Sequence, residues 1–97
     1  MSALHDVLQE ELERALRVKS AIELELKDLP LGYISRKNIR NKPAYYLQKR
    51  QGQKIISKYL PIHQVPELEK QIKRRRQLQA SLRALDDNVS KLRRALK

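Results

Sequence analysis

Leu31 to Leu60 reads LGYISRKNIRNKPAYYLQKRQGQKIISKYL, and how this stretch folds decides the fold of the whole chain. It holds all four tyrosines, both glycines and eight Lys or Arg residues, and no Asp or Glu. Its periodicity is that of strands. Gly32 opens a run of aromatic and β-branched residues at Tyr33-Ile34-Ser35, and Asn41-Lys42-Pro43 marks a turn, since Asn tolerates the left-handed conformation. Ala44 to Lys49 reads as a second strand, Gln51-Gly52 as a second turn and Lys54 to Leu60 as a third strand. Connections this short imply an antiparallel three-stranded meander.

Register decides which side chains share a face, and a slip of one residue inverts the answer. A three-residue loop closed by a left-handed Gly52 puts Tyr45, Leu47, Ile55 and Tyr59 on one face, as residues of a core beneath the sheet. The other face then carries Tyr46, Gln48, Arg50, Lys54, Ile56 and Lys58, and a similar loop around Asn41 adds Arg36 and Asn38 to it. A two-residue loop mixes apolar and basic residues on both faces instead. The three-residue register is the expectation, because it separates the two kinds of residue.

A leucine-patterned segment flanks the stretch on each side. Residues 2–29 read as one helix: Leu8, Leu12, Ala15, Ile22, Leu26 and Leu29 keep the alternating four-and-three spacing of a coiled-coil seam, with Lys19 the one polar intruder. Leu4, Leu16 and Leu24 widen the apolar stripe, Ser2 suits the cap and Pro30 forces Leu29 out of the helix. Ile62 to Val65 reads as a linker. Residues 66–96 form the second helix, with Pro66 in the first turn and a seam at Leu78, Leu82, Leu85, Val89, Leu92 and Leu96. Asp86-Asp87-Asn88 is the point where this helix is expected to be weakest. The expected fold is α+β, a single domain over residues 1–97, in which two long helices form an antiparallel coiled-coil hairpin with the three-stranded β-meander inserted between them. Two helices alone do not cover both leucine stripes, so a homodimer through the helices is expected as well.

Composition narrows the class. The 97 residues include no Phe, Trp or Cys and aromatics are 4%, so the apolar content is mostly leucine at helical spacing. Such a chain fits an elongated shape or a shared oligomeric core better than a compact globule. Without cysteine there is no disulfide framework, thiolate zinc site or cysteine nucleophile. No run of about 18 uninterrupted apolar residues occurs, and the acidic, amphipathic start MSALHDVLQEELER does not read as a secretory signal. The expected location is the cytoplasm, with no membrane partner.

The net charge is +11, from 22 Lys and Arg against 11 Asp and Glu. An excess of that size favours polyanions. The first helix contributes the opposite sign, with seven acids against four bases. The candidate contact residues for nucleic acid are therefore Arg36, Lys37, Asn38, Arg40, Lys42, Tyr46, Gln48, Arg50, Lys54 and Lys58 on the sheet, continued by Lys73, Arg74 and Arg76 on the second helix. Arg and Gln read base edges, Lys neutralises phosphate, and Tyr46 packs on a sugar or an unpaired base. Lysines on edge strands also discourage aggregation; the complete absence of acids between Leu31 and Leu60 is what points to binding.

Enzymatic chemistry finds little purchase. His5 and His63 lie in different segments with no carboxylate cluster at metal-ligand spacing, and Asp86 and Asp87 diverge as neighbours on a helix. Two glycines twenty residues apart cannot form a phosphate loop. No cofactor, no metal and no small-molecule substrate is expected.

From Leu29-Pro30 to Leu78, the run GYISRKNIRNKPAYYLQKRQGQKIISKYL followed by QVPELEKQIKRRRQL resembles a prokaryotic family of small proteins known only as a domain of unknown function, with an ISRK…YYLQ…G…SKY pattern leading into a charged helix. The resemblance implies the helix–sheet–helix layout and brings no activity. The hairpin is also similar to the N-terminal region of some insertion-sequence transposases, which implies DNA binding. Asn41 departs from both, standing where a glycine is common, and Ala44 replaces a bulkier residue. The expected function is non-enzymatic nucleic-acid binding, duplex DNA ahead of RNA, by the basic face of the sheet. The alternatives are a protein–protein assembly module acting through the helices and an RNA- or ribosome-associated protein.

Overall fold

A computed structural model describes residues 2–97 of the chain. The order is helix α1 (Ala3–Lys27), strands β1 (Tyr33–Ile39), β2 (Lys42–Gln51) and β3 (Lys54–Leu60), a 3-10 turn (Ile62–Gln64) and helix α2 (Val65–Ala95). The strands form one antiparallel sheet in the order β1-β2-β3. The class is α+β, with the meander lying between the helices in sequence. The chain divides into two compact units, residues 1–28 with 76–97, and residues 29–75, so α2 contributes to both.

The helical unit follows its leucine spacing. The Ser2 side chain accepts a hydrogen bond from the His5 backbone N–H at 3.1 Å and caps α1. Leu12, Ala15 and Val89 are buried, and Leu16, Leu85, Leu92 and Leu96 pack against them. Leu16 is thus covered within the chain, whereas Leu4 and Leu24 stay about two-thirds exposed, at 67% and 65%. Lys19 donates to the Asp86 carboxylate at 2.7 Å. With Leu12 and Ala15 meeting Val89, that pair makes the two helical segments antiparallel. It also gives both polar features of the sequence a partner: Lys19, the intruder among the leucines of α1, meets Asp86, beside Leu85 on α2. Asp87 is held by Lys91 at 3.3 Å, and α2 runs unbroken through Asp86-Asp87-Asn88.

In the sheet unit, turn chemistry sets the register. Arg40 and Asn41 have φ +52° and +66°. They form a two-residue loop between the paired Ile39 and Lys42, and positive φ at both positions marks a type I′ turn. Gly52, at φ +63°, starts the second two-residue loop, between Gln51 and Lys54, the glycine-first pattern of a type II′ turn. The first turn is therefore Arg40-Asn41, with Lys42 and Pro43 already in β2. Pro43 lies beyond the last β2–β3 pair, Tyr45 with Leu60, so its missing N–H falls where no strand needs it.

This register overturns the expected faces. The face of Tyr46, Gln48 and Arg50 includes Tyr33, Ser35, Lys37, Ile39, Lys42, Ile55, Ser57 and Tyr59; that of Tyr45 and Leu47 includes Ile34, Arg36, Asn38, Lys49, Lys54, Ile56, Lys58 and Leu60. Arg50 and Lys54 point to opposite sides. Segregating apolar from basic residues would pay only if one whole face were covered. Here only Leu60 of the sheet is buried, with Val65 and Ile72 of the same unit, so the turns decide. Arg75 adds a tie between distant residues, donating to the Leu29 carbonyl at 3.1 Å.

Two measurements test this construction. A Cβ on Gly32 (φ +121°) would lie 2.5 Å from the Gln48 carbonyl oxygen, whereas one on Gly52 meets nothing within 4 Å. In urea unfolding, Gly32→Ala loses about 3 kcal/mol or more and Gly52→Ala only about 1 kcal/mol, the bare left-handed penalty. The second concerns Lys19, whose pKa is raised above its ordinary 10.5, first by the hydrogen bond to Asp86 and then by that carboxylate's charge. A raised folded-state value stabilises below 10.5 and is lost as pH climbs through it. The Tm advantage of the wild type over Lys19→Met accordingly shrinks as alkaline pH passes the lysine range.

Candidate nucleic-acid interface

Charge is divided unequally between the two units. Residues 29–75 hold 12 Lys and Arg against two acids, Glu67 and Glu69, and the remainder holds ten against nine. The sheet unit therefore carries +10 of the net +11, and the helical unit +1. Salt leaves such a field effective within roughly 8–10 Å of the surface.

The strands spread these bases over both sides. Of the candidate residues, Lys37, Lys42, Tyr46, Gln48 and Arg50 share one face; Arg36, Asn38, Lys54 and Lys58 share the other; Arg40 occupies the turn. Lys73 and Arg74 are exposed on the part of α2 that belongs to the sheet unit, and Arg76 is exposed in the helical unit. Arg75, inside the same basic run, is half-buried on the Leu29 carbonyl and has a structural task.

What sets the Tyr46 face apart is its rings. Tyr33, Tyr46 and Tyr59 come from three adjacent strands, and Tyr46 stands directly opposite Tyr59. Counting outward from the Gln51–Lys54 pair beside the turn, Tyr46–Tyr59 is a pair without mutual backbone hydrogen bonds, the kind that brings side chains closest. The two rings meet edge to face, with centroids 5.9 Å apart at 77°, a favoured aromatic geometry. The Lys37 ammonium sits 5.2 Å from the Tyr46 centroid, a cation–π contact. Arg50 Nε donates to the Gly52 carbonyl at 3.2 Å, tethering the guanidinium beside the turn. Ile39 and Ile55, exposed at 48% and 63%, complete an open surface that is both apolar and basic.

Tyr59 was expected in the core and is 61% exposed; Tyr45 is half-buried on the other face. Tyr33, 43% exposed, reads from the sequence only as the start of a strand. Gly52-Gln53 as a two-residue turn with glycine first puts Tyr59 on the Tyr46 face, and Arg40-Asn41 as a two-residue turn puts Tyr33 there. The opposite face has a cavity of about 360 Å³ with Leu31, Leu47 and Ile56 in its lining and Lys49 and Lys58 at its rim. Among the described residues no cluster of His, Cys, Asp or Glu is suited to a metal, and no helix is long and apolar enough to cross a membrane. His5 lies in the helical unit and His63 in the 3-10 turn of the sheet unit.

The family model for the domain of unknown function DUF6788 matches residues 3–70. The chain belongs to that family. The span shared with DUF6788 takes in α1, the whole sheet and the start of α2, so the tyrosine-bearing face lies entirely within it. No curated protein and no solved structure shows significant similarity to the chain.

Neighbouring residues of β3 test the face assignment. Tyr59→Ala costs no more than about 1 kcal/mol, a cross-strand pair, while Leu60→Ala, at a position only 7% exposed, costs about 3 kcal/mol. Thermal unfolding of the two variants reads the difference.

Proposed function

We propose that this chain is a non-enzymatic nucleic-acid-binding protein of the cytoplasm whose contact surface is the sheet unit. The observation that carries the reading is the concentration of +10 in residues 29–75, with no acid between Leu31 and Leu60. A polyanion is the partner such a field attracts and holds. Exposed tyrosines interleaved with Lys37, Lys42 and Arg50 supply what a plain solubilising charge would not, a ring surface for sugars and bases.

The test is binding to a labelled oligonucleotide over a salt series. Affinity should fall steeply with salt, and alanine at Lys37, Lys42 and Arg50 together should flatten the slope by about 1 for each phosphate contact removed. Affinity indifferent to salt, or untouched by the triple change, removes this face as the site.

A second reading has an observation of its own. Leu4, Val7, Val18 and Leu24 of α1 are exposed, at 44% or more, and nearly neutral charge on the helical unit leaves them free to meet a protein. On this reading the helices join copies of the chain into a homodimer or assemble with another protein. Sedimentation mass of the wild type against Leu4→Glu/Leu24→Glu separates the two roles, since an assembly through α1 dissociates in the variant while sheet-based nucleic-acid binding persists.

A further inference from the structure

Resting on the nucleic-acid reading, we infer that the Tyr33–Tyr46–Tyr59 face takes unpaired bases, binding single-stranded nucleic acid in preference to duplex.

The use of the rings is the first ground. In a chain with no Phe or Trp, four tyrosines are the only large aromatic side chains, and a fold short of rings ordinarily spends them on its core. Here the residues buried below the surface are Leu, Val, Ile and Ala, and no tyrosine is among them. Three of the four rings stand on one open face instead. Their roles differ. Tyr46 is half-buried, with Lys37 over its ring and Tyr59 against it, and so positions its neighbours. Tyr59 and Tyr33, at 61% and 43% exposure, are the rings open to a ligand.

Size is the second ground. Strands about 4.8 Å apart put the outer two strands of this sheet roughly 10 Å apart before side chains are added. The major groove is about 12 Å wide and admits a helix or a two-stranded ribbon. A three-stranded face that carries Lys37 on β1, Lys42 and Arg50 on β2 and the Tyr59 ring on β3 is wider than that once its side chains are added, so it lies against a strand and does not enter a groove. Tyrosine rings on such a flat face reach base planes only when the bases are unpaired and splayed outward.

Charge is the third. Lys37 and Arg50 flank the rings along the sheet, with Gln48 between Tyr33 and Ser57 on the same face. That is a basic track for the backbone beside a stacking platform, and it has no acid to repel phosphate.

The experiment uses the full chain and four labelled probes of one mixed sequence: single-stranded DNA, single-stranded RNA, and duplexes of each. Fluorescence anisotropy at fixed salt should show single strands bound at least tenfold more tightly than the matching duplexes, with the DNA and RNA arms telling which sugar is preferred. Stacking needs the ring and not the hydroxyl. Tyr59→Phe and Tyr33→Phe therefore keep the affinity, and Tyr59→Ala and Tyr33→Ala each lose it by roughly tenfold. Circular dichroism on the same samples shows that the alanine variants remain folded, as their exposure requires. Duplex bound as tightly as single strand, or alanine variants that bind like wild type, overturns the inference and leaves nucleic-acid binding standing. Failure to bind any of the four probes overturns both.

Discussion

Two loops of two residues each govern what this sheet presents. Arg40 and Asn41 take positive φ together, and Gly52 takes it alone, so each hairpin closes with no spare residue. For Arg40 the left-handed conformation is unfavourable by about 1–2 kcal/mol. It is tolerated because a primed turn matches the right-handed twist of the strands it joins. Once both loops are this short, every side chain from Tyr33 to Leu60 has its side assigned. Three of the four tyrosines converge on one face and the bases divide between two, as consequences of turn geometry and not of any drive to bury apolar surface.

The two units rest on different physics. The helical unit is nearly balanced in charge and organised by leucine spacing, with Leu12, Ala15 and Val89 at its centre and the Lys19–Asp86 pair fixing which turn faces which. Such a partly exposed ion pair stabilises little and serves to align the two segments. The sheet unit buries little beyond Leu60, Val65 and Ile72 and carries most of the positive charge. Its order comes from strand pairing, turn conformation and local contacts such as the Tyr46–Tyr59 edge-to-face pair. Like charges held this close repel one another, and an anionic partner relieves that repulsion, which ties the unit's electrostatics to the proposed role.

The helices were legible in the sequence because their signals are local and repeated. The spacing of Leu8, Leu12 and Ala15, the cap at Ser2 and the stop at Pro30 each lie within a turn or two of what they determine. Three strands and a turn at Asn41 were equally visible. The pairing of faces was not, for a physical reason. An amphipathic sheet is what alternation along the strands suggests, and it holds only where a continuous core covers one side. With Leu60 alone buried on the strands, the pattern of apolar residues carried no information about register. Arg40-Asn41 lacks the glycine that usually announces a two-residue turn, which shifts the expected turn to Asn41-Lys42-Pro43; the inward Tyr59 follows instead from a three-residue loop at Gly52, where the loop has two residues. Lys19 and Asp86 each read as a local defect, because neither sequence neighbourhood mentions its partner.

Arg75 reaches back to the Leu29 carbonyl across 46 residues, so the chain enters and leaves the sheet unit at one place. That exit lies inside α2, which continues unbroken from Val65 to Ala95, so one helix serves both units. Arg75 acts there as a clasp: a single side chain of a continuous helix holds the excursion of the meander closed at its base.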